Sequence, residues 1–210
     1  MQKRRSAITL FLLLLVVGIK VSEDVIGKES GAIDESILRH IHSHSPDAWM
    51  GFWQSVTFTG SSKFIIPMAV LIVVGLSIYK RYFDALLLAL SVTLAGATVY
   101  AVKTMVNRSR PALWDTEWYW GSSFPSGHTL AVASFATALY LIIRRLRLSA
   151  QGFALCATLA WIGMVGLSRL VLGVHWPTDV LVASCIGTII PLLLHVVLES
   201  LLRNQSRYFK

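Results

Sequence analysis

Charge is in short supply in this chain. Asp, Glu, Lys and Arg make up 14% of its 210 residues, 55% are hydrophobic, and the mean hydropathy is +0.63. A soluble globular domain carries about 25% charged residues, so the composition excludes one and indicates a membrane protein. Cysteine is nearly absent: Cys156 and Cys185 both sit inside apolar runs, without CxxC spacing. That excludes a disulfide framework and is expected to leave both as packing residues. Carboxylates are outnumbered, 11 Asp and Glu against 19 Lys and Arg, and no cluster of them exists to hold a divalent cation. Linkers, low-complexity tracts and internal repeats are missing as well, so residues 1–210 read as one integral-membrane domain.

What the chain has instead is one apolar run after another. Six segments, roughly residues 7–21, 64–79, 86–102, 130–143, 153–174 and 180–198, reach the ~20 residues a bilayer core demands once small flanking residues are added. The expected fold is all-α and polytopic, with six transmembrane helices. "MQKRR" followed by "AITLFLLLLVVGI" has the layout of a signal peptide, but "GIKVSED" is a poor cleavage site, so a retained first helix is expected.

Basic residues set the orientation. With the N terminus inside, Lys3, Arg4, Arg5, Lys80, Arg81, Arg144, Arg145, Arg147, Arg203, Arg207 and Lys210 are cytoplasmic, eleven of the nineteen Lys and Arg. Outside, once Lys103, Arg110 and Arg169 are set apart, only Lys20, Lys28, Arg39, Lys63 and Arg108 face nine acids. Both termini are therefore expected in the cytoplasm. The net charge of +8 and pI near 9.8 lie in short loops beside spans. They reflect topology and anionic headgroups, not a nucleic-acid partner.

Residues 22–62 form the long non-spanning segment. "IDESILRHIHSHSPDAWMGFWQSV" mixes apolar and polar residues at helical spacing, which predicts a helix on the outer membrane surface with Trp49, Phe52 and Trp53 at headgroup level. His40, His42 and His44 alternate there. On a helix the middle one points away from the other two, so a solvated face is expected and a metal site is not.

Some polar groups near the spans need another account. Arg169 interrupts "LAWIGMVGLSRLVLGVHW". Facing lipid it would cost ~2.5 kcal/mol or more, so it is buried in protein, faces a watery cavity or snorkels outward. Pro177 suits the first turn of the last span, with Asp179 in that turn and His175 just before it. Such an aspartate either orients the imidazole, as in a Ser-His-Asp triad, or simply caps the helix. Lys103 and Arg110 in "KTMVNRSRP" can converge on one anion, although basic residues near a membrane surface are common. In "PSGH" Ser126 can cap the fourth span, Gly127 lets backbone approach a ligand, and His128 stands in the first turn beside free N–H groups that suit an anion. Threading six spans through a bilayer brings all of these to the outer face. Three permanent cations, a helix N terminus and two histidines describe a phosphoryl site.

Lys103-x6-Arg110-Pro111, then Pro125-Ser126-Gly127-His128, then Ser168-Arg169-x5-His175-x3-Asp179 resemble the three signature motifs of the type 2 phosphatidic acid phosphatase superfamily, with no departure at any signature position. That superfamily also holds vanadium haloperoxidases and bacterial acid phosphatases. In length and layout the chain is similar to small bacterial membrane members acting on undecaprenyl diphosphate, phosphatidylglycerol phosphate and phosphatidic acid. The resemblance implies His175 as the phosphorylated nucleophile, Asp179 as its orienting group and His128 as general acid and then base. Lys103, Arg110, Ser126, Gly127 and Arg169 would bind the phosphate oxygens. It implies no metal and no cofactor, since fixed cations already supply the charge neutralisation that magnesium gives elsewhere.

The function expected is therefore a lipid phosphate phosphatase at the outer face of a bacterial inner membrane, with undecaprenyl diphosphate as the leading substrate. Phosphatidylglycerol phosphate, phosphatidic acid and lipid A are the alternatives. A haloperoxidase would need a soluble, oxidant-accessible setting that six spans do not offer. A transporter or scaffold with a vestigial anion site is the non-enzyme alternative, and the presence of Lys103, His128 and His175 weighs against it. Trp114, Trp118, Tyr119 and Trp120, between two motifs, are expected to anchor their loop at the interface.

Overall fold

The structure is a computed structural model and describes residues 2–114, 121–146 and 149–208, with the side chains of 2–8, 10 and 203–208 left aside. Among the described residues the chain is all helix: α1 (Gln2–Ile26), α2 (Gly31–Ser43), a 3-10 turn (Asp47–Trp49), α3 (Met50–Phe58), α4 (Ser62–Ile78), α5 (Tyr82–Val106), α6 (Gly127–Arg145), α7 (Gln151–Val171) and α8 (Pro177–Tyr208). Among the described residues five stretches are long and apolar enough to cross a membrane: Asp47–Ile78, which takes in α3 and α4, then α5, α6, α7 and Pro177–Leu202 of α8. The N-terminal apolar run, residues 7–21, lies within α1.

Residues 22–62 differ from the single surface helix expected. In place of one helix there are two, α2 and α3, separated at Pro46, whose ring fixes φ and whose missing N–H interrupts the ladder. The histidines behave as the spacing predicts. His40 and His44 rings lie 4.3 Å apart, and His42 turns away to stack on Trp114 at 3.9 Å. Among the described residues no group of three His, Cys, Asp or Glu is placed to hold a metal ion. Cys185 is buried as expected, whereas Cys156 is exposed on α7. Trp118, Tyr119 and Trp120 lie outside the described residues.

α6 is the hub. Of its most apolar stretch 61% is buried in protein, against at most 28% in the other four. Leu130, Val132, Ala133, Phe135 and Ala138 are all buried. Small residues bring the neighbours close, as helix contacts without a hydrophobic drive require. A Cβ on Gly187 of α8 would lie 2.6 Å from both the Ala133 Cβ and the Leu130 carbonyl of α6, and one on Gly60 would meet Val165 at 2.7 Å and the His128 Cβ at 3.3 Å.

The ends of the bundle differ. At one end Asp84 of α5, 2% exposed, takes Arg81 at 2.8 Å and Arg145 of α6 at 3.4 Å. At the other end α5 and α7 stop and α6 and α8 start, and there the motif residues gather.

Candidate active site

Local chain chemistry puts the nucleophile candidate in place. α7 ends in a Schellman turn: the Gly173 N–H donates to the Leu170 carbonyl at 2.9 Å, the Val174 N–H donates to the Arg169 carbonyl at 3.2 Å, and Gly173 has φ +66°. This glycine is why α7 stops at Val171, short of the 174 expected. Pro177 then opens α8, where its missing N–H costs nothing. His175 is held on the short bridge between two rigid helices, 2% exposed. Asp179, fully buried in the first turn of α8, reaches back: one carboxylate oxygen accepts from the Trp176 N–H at 2.9 Å and lies 3.4 Å from His175 Nδ1. That is the reciprocal half of a capping box, used to aim an imidazole.

The other ring nitrogen, Nε2, faces Arg110, whose Nη1 is 3.4 Å away and also donates to the Val174 carbonyl at 2.8 Å. Arg110 Nη2 and Lys103 Nζ both donate to the Ser122 carbonyl, which draws the two cations of the first motif together. The chain around them is pinned. Asn107 closes α5 in the left-handed region at φ 45°, the Arg108 N–H donates to Ser122 Oγ, and the Ser123 N–H donates to the Arg108 carbonyl.

Arg169, in the last turn of α7, is 1% exposed, so it neither snorkels nor meets lipid. Its Nη1 donates to Thr57 Oγ1 of α3 at 2.7 Å. Ser126 occupies the N-cap position of α6, but its hydroxyl contacts Thr129 Oγ1 at 2.9 Å and makes no cap hydrogen bond. The sequence reading of Ser126 as a side-chain cap is corrected to that extent, because its hydroxyl pairs with that of Thr129. Its backbone N–H donates instead to the Asp179 carbonyl at 3.2 Å, linking the starts of α6 and α8. Gly127 opens α6, with only Val99, at 3.5 Å, near the place a Cβ would take. His128, half-buried in that first turn, is within electrostatic range of Arg169, His175, Arg110 and Lys103.

All eight residues singled out by sequence therefore meet at one end of the bundle. Burial pushes the His175 imidazole down to about 4, with the Asp179 hydrogen bond and charge opposing the shift. At neutral pH the ring is uncharged, and Asp179 favours the proton on Nδ1, leaving the Nε2 lone pair available.

A family model described as the PAP2 superfamily matches residues 84–202. The chain belongs to this superfamily. All three motifs fall within the match, and as a PAP2 protein the chain is an enzyme, set among apolar helices long enough to cross a membrane. Over 186 residues it is 25% identical to phosphatidylglycerophosphatase B of Bacillus subtilis, covering 87% of this chain and 90% of that one. A 75-residue stretch is 37% identical to lipid A 1-phosphatase of Rhizobium johnstonii, covering 36% of this chain and 28% of the relative. The crystal structure of the Bacillus subtilis transmembrane PAP2-type phosphatidylglycerolphosphate phosphatase shares the fold, with a TM-score of 0.79 at 24% identity over 92% of this chain and 96% of that one.

Sequence reasoning leaves Arg108 and Asp34 out of the PAP2 site. Arg108 counts in sequence as a topological charge, and Asp34 as one of the nine outside acids. In the structure Arg108 Nη1 lies 2.6 Å from Asp179 Oδ1, and Nη2 lies 2.6 Å from Asp34 Oδ2. No local pattern signals a pair 74 residues apart in sequence.

Proposed function

We propose that the protein is a metal-independent lipid phosphate phosphatase of the PAP2 type, working through a phosphohistidine at His175. In this reading Nε2 of His175 attacks phosphorus in line. The P–N bond forms as the bond to the lipid oxygen breaks, and His128 supplies the proton that oxygen needs. Water, deprotonated by His128, then attacks the phosphohistidine; the P–N bond breaks and inorganic phosphate leaves. Lys103, Arg110, Arg169, Ser126 and Gly127 bind the phosphate oxygens and hold the charge that builds in the transition state. The observation that carries this reading is the orientation of His175: one ring nitrogen beside the Asp179 carboxylate, the other beside the Arg110 guanidinium.

The membrane setting supports an amphiphilic substrate. The site lies where α5 and α7 end and α6 and α8 begin, opposite the Asp84 end, and α1 as a sixth span puts both termini on the cytoplasmic side with the site facing out. α2 and α3 then lie at the outer surface. A cavity of about 920 Å³ opens beside Arg108 and Trp176, with Val25, Val102, Val106 and Ile186 as its apolar lining. Such a groove suits a tail whose phosphate sits at the headgroup level.

Undecaprenyl diphosphate is the substrate we assign, in a bacterial inner membrane. Lys103, Arg110 and Arg169 gather at one end of the bundle, and their charge can accommodate a diphosphate. Phosphatidylglycerol phosphate is the second reading, favoured by the near full-length relative of that activity. The test is phosphate release by detergent-purified protein with EDTA, offered undecaprenyl diphosphate, phosphatidylglycerol phosphate, phosphatidic acid and lipid A, with His175→Ala as blank. A strong preference for the diphosphate is expected. Equal rates on all would make it a broad lipid phosphatase, and no release above the blank would refute the phosphohistidine mechanism.

A further inference from the structure

We infer that Arg108, gripped from its far side by Asp34 of α2, is a positioning residue for the nucleophile: it holds Asp179 in the one orientation that aims His175. This inference rests on the phosphohistidine reading and adds a residue at a variable position of the first motif, between Lys103 and Arg110.

The geometry is specific. Asp179 has two carboxylate oxygens. One serves His175 Nδ1 and the Trp176 N–H, and the other takes Arg108 Nη1 at 2.6 Å. Asp179 is fully buried and Arg108 nearly so, its side chain 14% exposed. A carboxylate held from both sides cannot rotate about its χ angles, so the direction of His175 is fixed through it. Arg108 is itself fixed at both ends of its fork. Nη1 also donates to Thr178 Oγ1 at 2.8 Å, and Nη2 donates to Asp34 Oδ2 at 2.6 Å and Ser30 Oγ at 3.2 Å. Asp34, fully buried, completes the clamp by accepting the Thr178 N–H at 2.9 Å and the Thr178 hydroxyl at 2.7 Å. It caps the free N–H groups at the start of α8 from another helix.

A bidentate guanidinium between two buried carboxylates does two jobs that can be told apart. It sets geometry, and it offsets the negative charge that Asp179 would otherwise direct wholly at His175. The other charged groups facing His175 are Arg110 from the loop, Arg169 from α7 and His128 from α6, while Lys103 from α5 faces Asp179. Arg108 acts on the outer oxygen of Asp179 directly, at 2.6 Å. Removing the Arg108 charge therefore leaves Asp179 free to favour the imidazolium, and the protonated ring cannot attack.

The test compares Arg108→Gln, which is neutral but polar and long, with Arg108→Lys, which keeps the charge and loses the fork, and with Asp34→Asn. Two readouts are taken on the intact protein in detergent: phosphate release against pH, and the titration of His175 by imidazole NMR. Arg108→Gln is expected to lower kcat about 10–100-fold with KM within about twofold, and to raise the His175 midpoint by about one unit. Arg108→Lys is expected to lose kcat while its midpoint stays near that of the native protein, and Asp34→Asn is expected not to raise it. An unmoved midpoint in a folded Arg108→Gln protein would overturn the inference. So would an Arg108→Gln protein that unfolds beside an Arg108→Lys protein of native activity, since that marks a plain structural strut. Failure of the functional reading looks different: the native protein would release no more phosphate than His175→Ala, while the NMR titration still judges the clamp.

Discussion

Gly187 lies two turns into α8 from Asp179, yet replacing it with alanine is expected to disable the site. The added Cβ would sit 2.6 Å from the Ala133 Cβ and 2.6 Å from the Leu130 carbonyl, where ordinary contact begins at 3.4 Å. Both atoms belong to α6, and one is backbone, so no rotamer change relieves the clash. α6 and α8 must part by roughly 0.8 Å, the difference between those two distances. Overpacking of this kind costs about 1–3 kcal/mol. For a chain of this size that is about 2–4 °C in Tm per kcal/mol. The two helices carry Ser126–His128 and Asp179 at their starts, joined by the 3.2 Å bond from the Ser126 N–H to the Asp179 carbonyl. A displacement near 1 Å between catalytic groups can cost about 100-fold in rate. The assay is tryptophan-monitored thermal unfolding in detergent together with kcat for phosphate release. Gly163→Ala on α7 is the control, because among the described residues no atom beyond its own helical turn lies within 4 Å of the added Cβ. Helix propensity alone should make that change neutral or stabilising. Native Tm and native kcat in Gly187→Ala would refute the argument that this close approach sets the site.

Two further outcomes follow from single residues. His175, pushed down to about 4 by burial, should stay neutral and reactive through pH 5, so its acid limb should fall near 4 and not near the ordinary ~6.5. The unfolded chain takes up that proton near 6.5 and the folded one only near 4, so stability should decline as pH drops across this window, by about 3 kcal/mol in full. Histidine NMR showing His175 half-protonated above pH 6 would contradict this. Asp84→Asn, at the far end, should loosen Arg81 and Arg145 and lower Tm, with about 1–3 kcal/mol lost, while kcat stays native. A large fall in kcat with Tm unchanged would show that the two ends are coupled.

The parts of this site that can be read from sequence are those written in local chemistry. Pro177 and the Ser126-Gly127 pair announce helix starts, and the i to i+4 spacing of His175 and Asp179 puts them on one turn. Helix starts are legible to within a few residues for the same reason, although α8 runs on to Tyr208, past the 198 expected, and Gly173 halts α7 earlier than its apolar run suggests. Arg108 cannot be read, because its partners lie 74 and 71 residues away and only the packing of α2 against α8 brings them in. Ser126 reads as a side-chain cap in sequence because nothing in the motif shows Thr129 competing for its hydroxyl. Cys156 reads as an interior residue although its helix face points outward, since an apolar run does not show which side meets lipid.

The central helix also has a length that matters. α6 runs for 19 residues, and at 1.5 Å per residue it rises about 28 Å, close to the thickness of a hydrocarbon core. With Gly127 and His128 at one end and Arg144 and Arg145 at the other, it acts as a gauge fixed by the protein, with little slack to tilt. The height of the reactive atoms relative to the plane of lipid phosphates is then set by the bilayer as well as by the fold. A thicker membrane would draw that plane away from His128, and a thinner one would bring it past. On the proposed placement of the site, turnover is expected to depend on the composition of the surrounding lipid, even for a substrate whose headgroup the site binds unchanged.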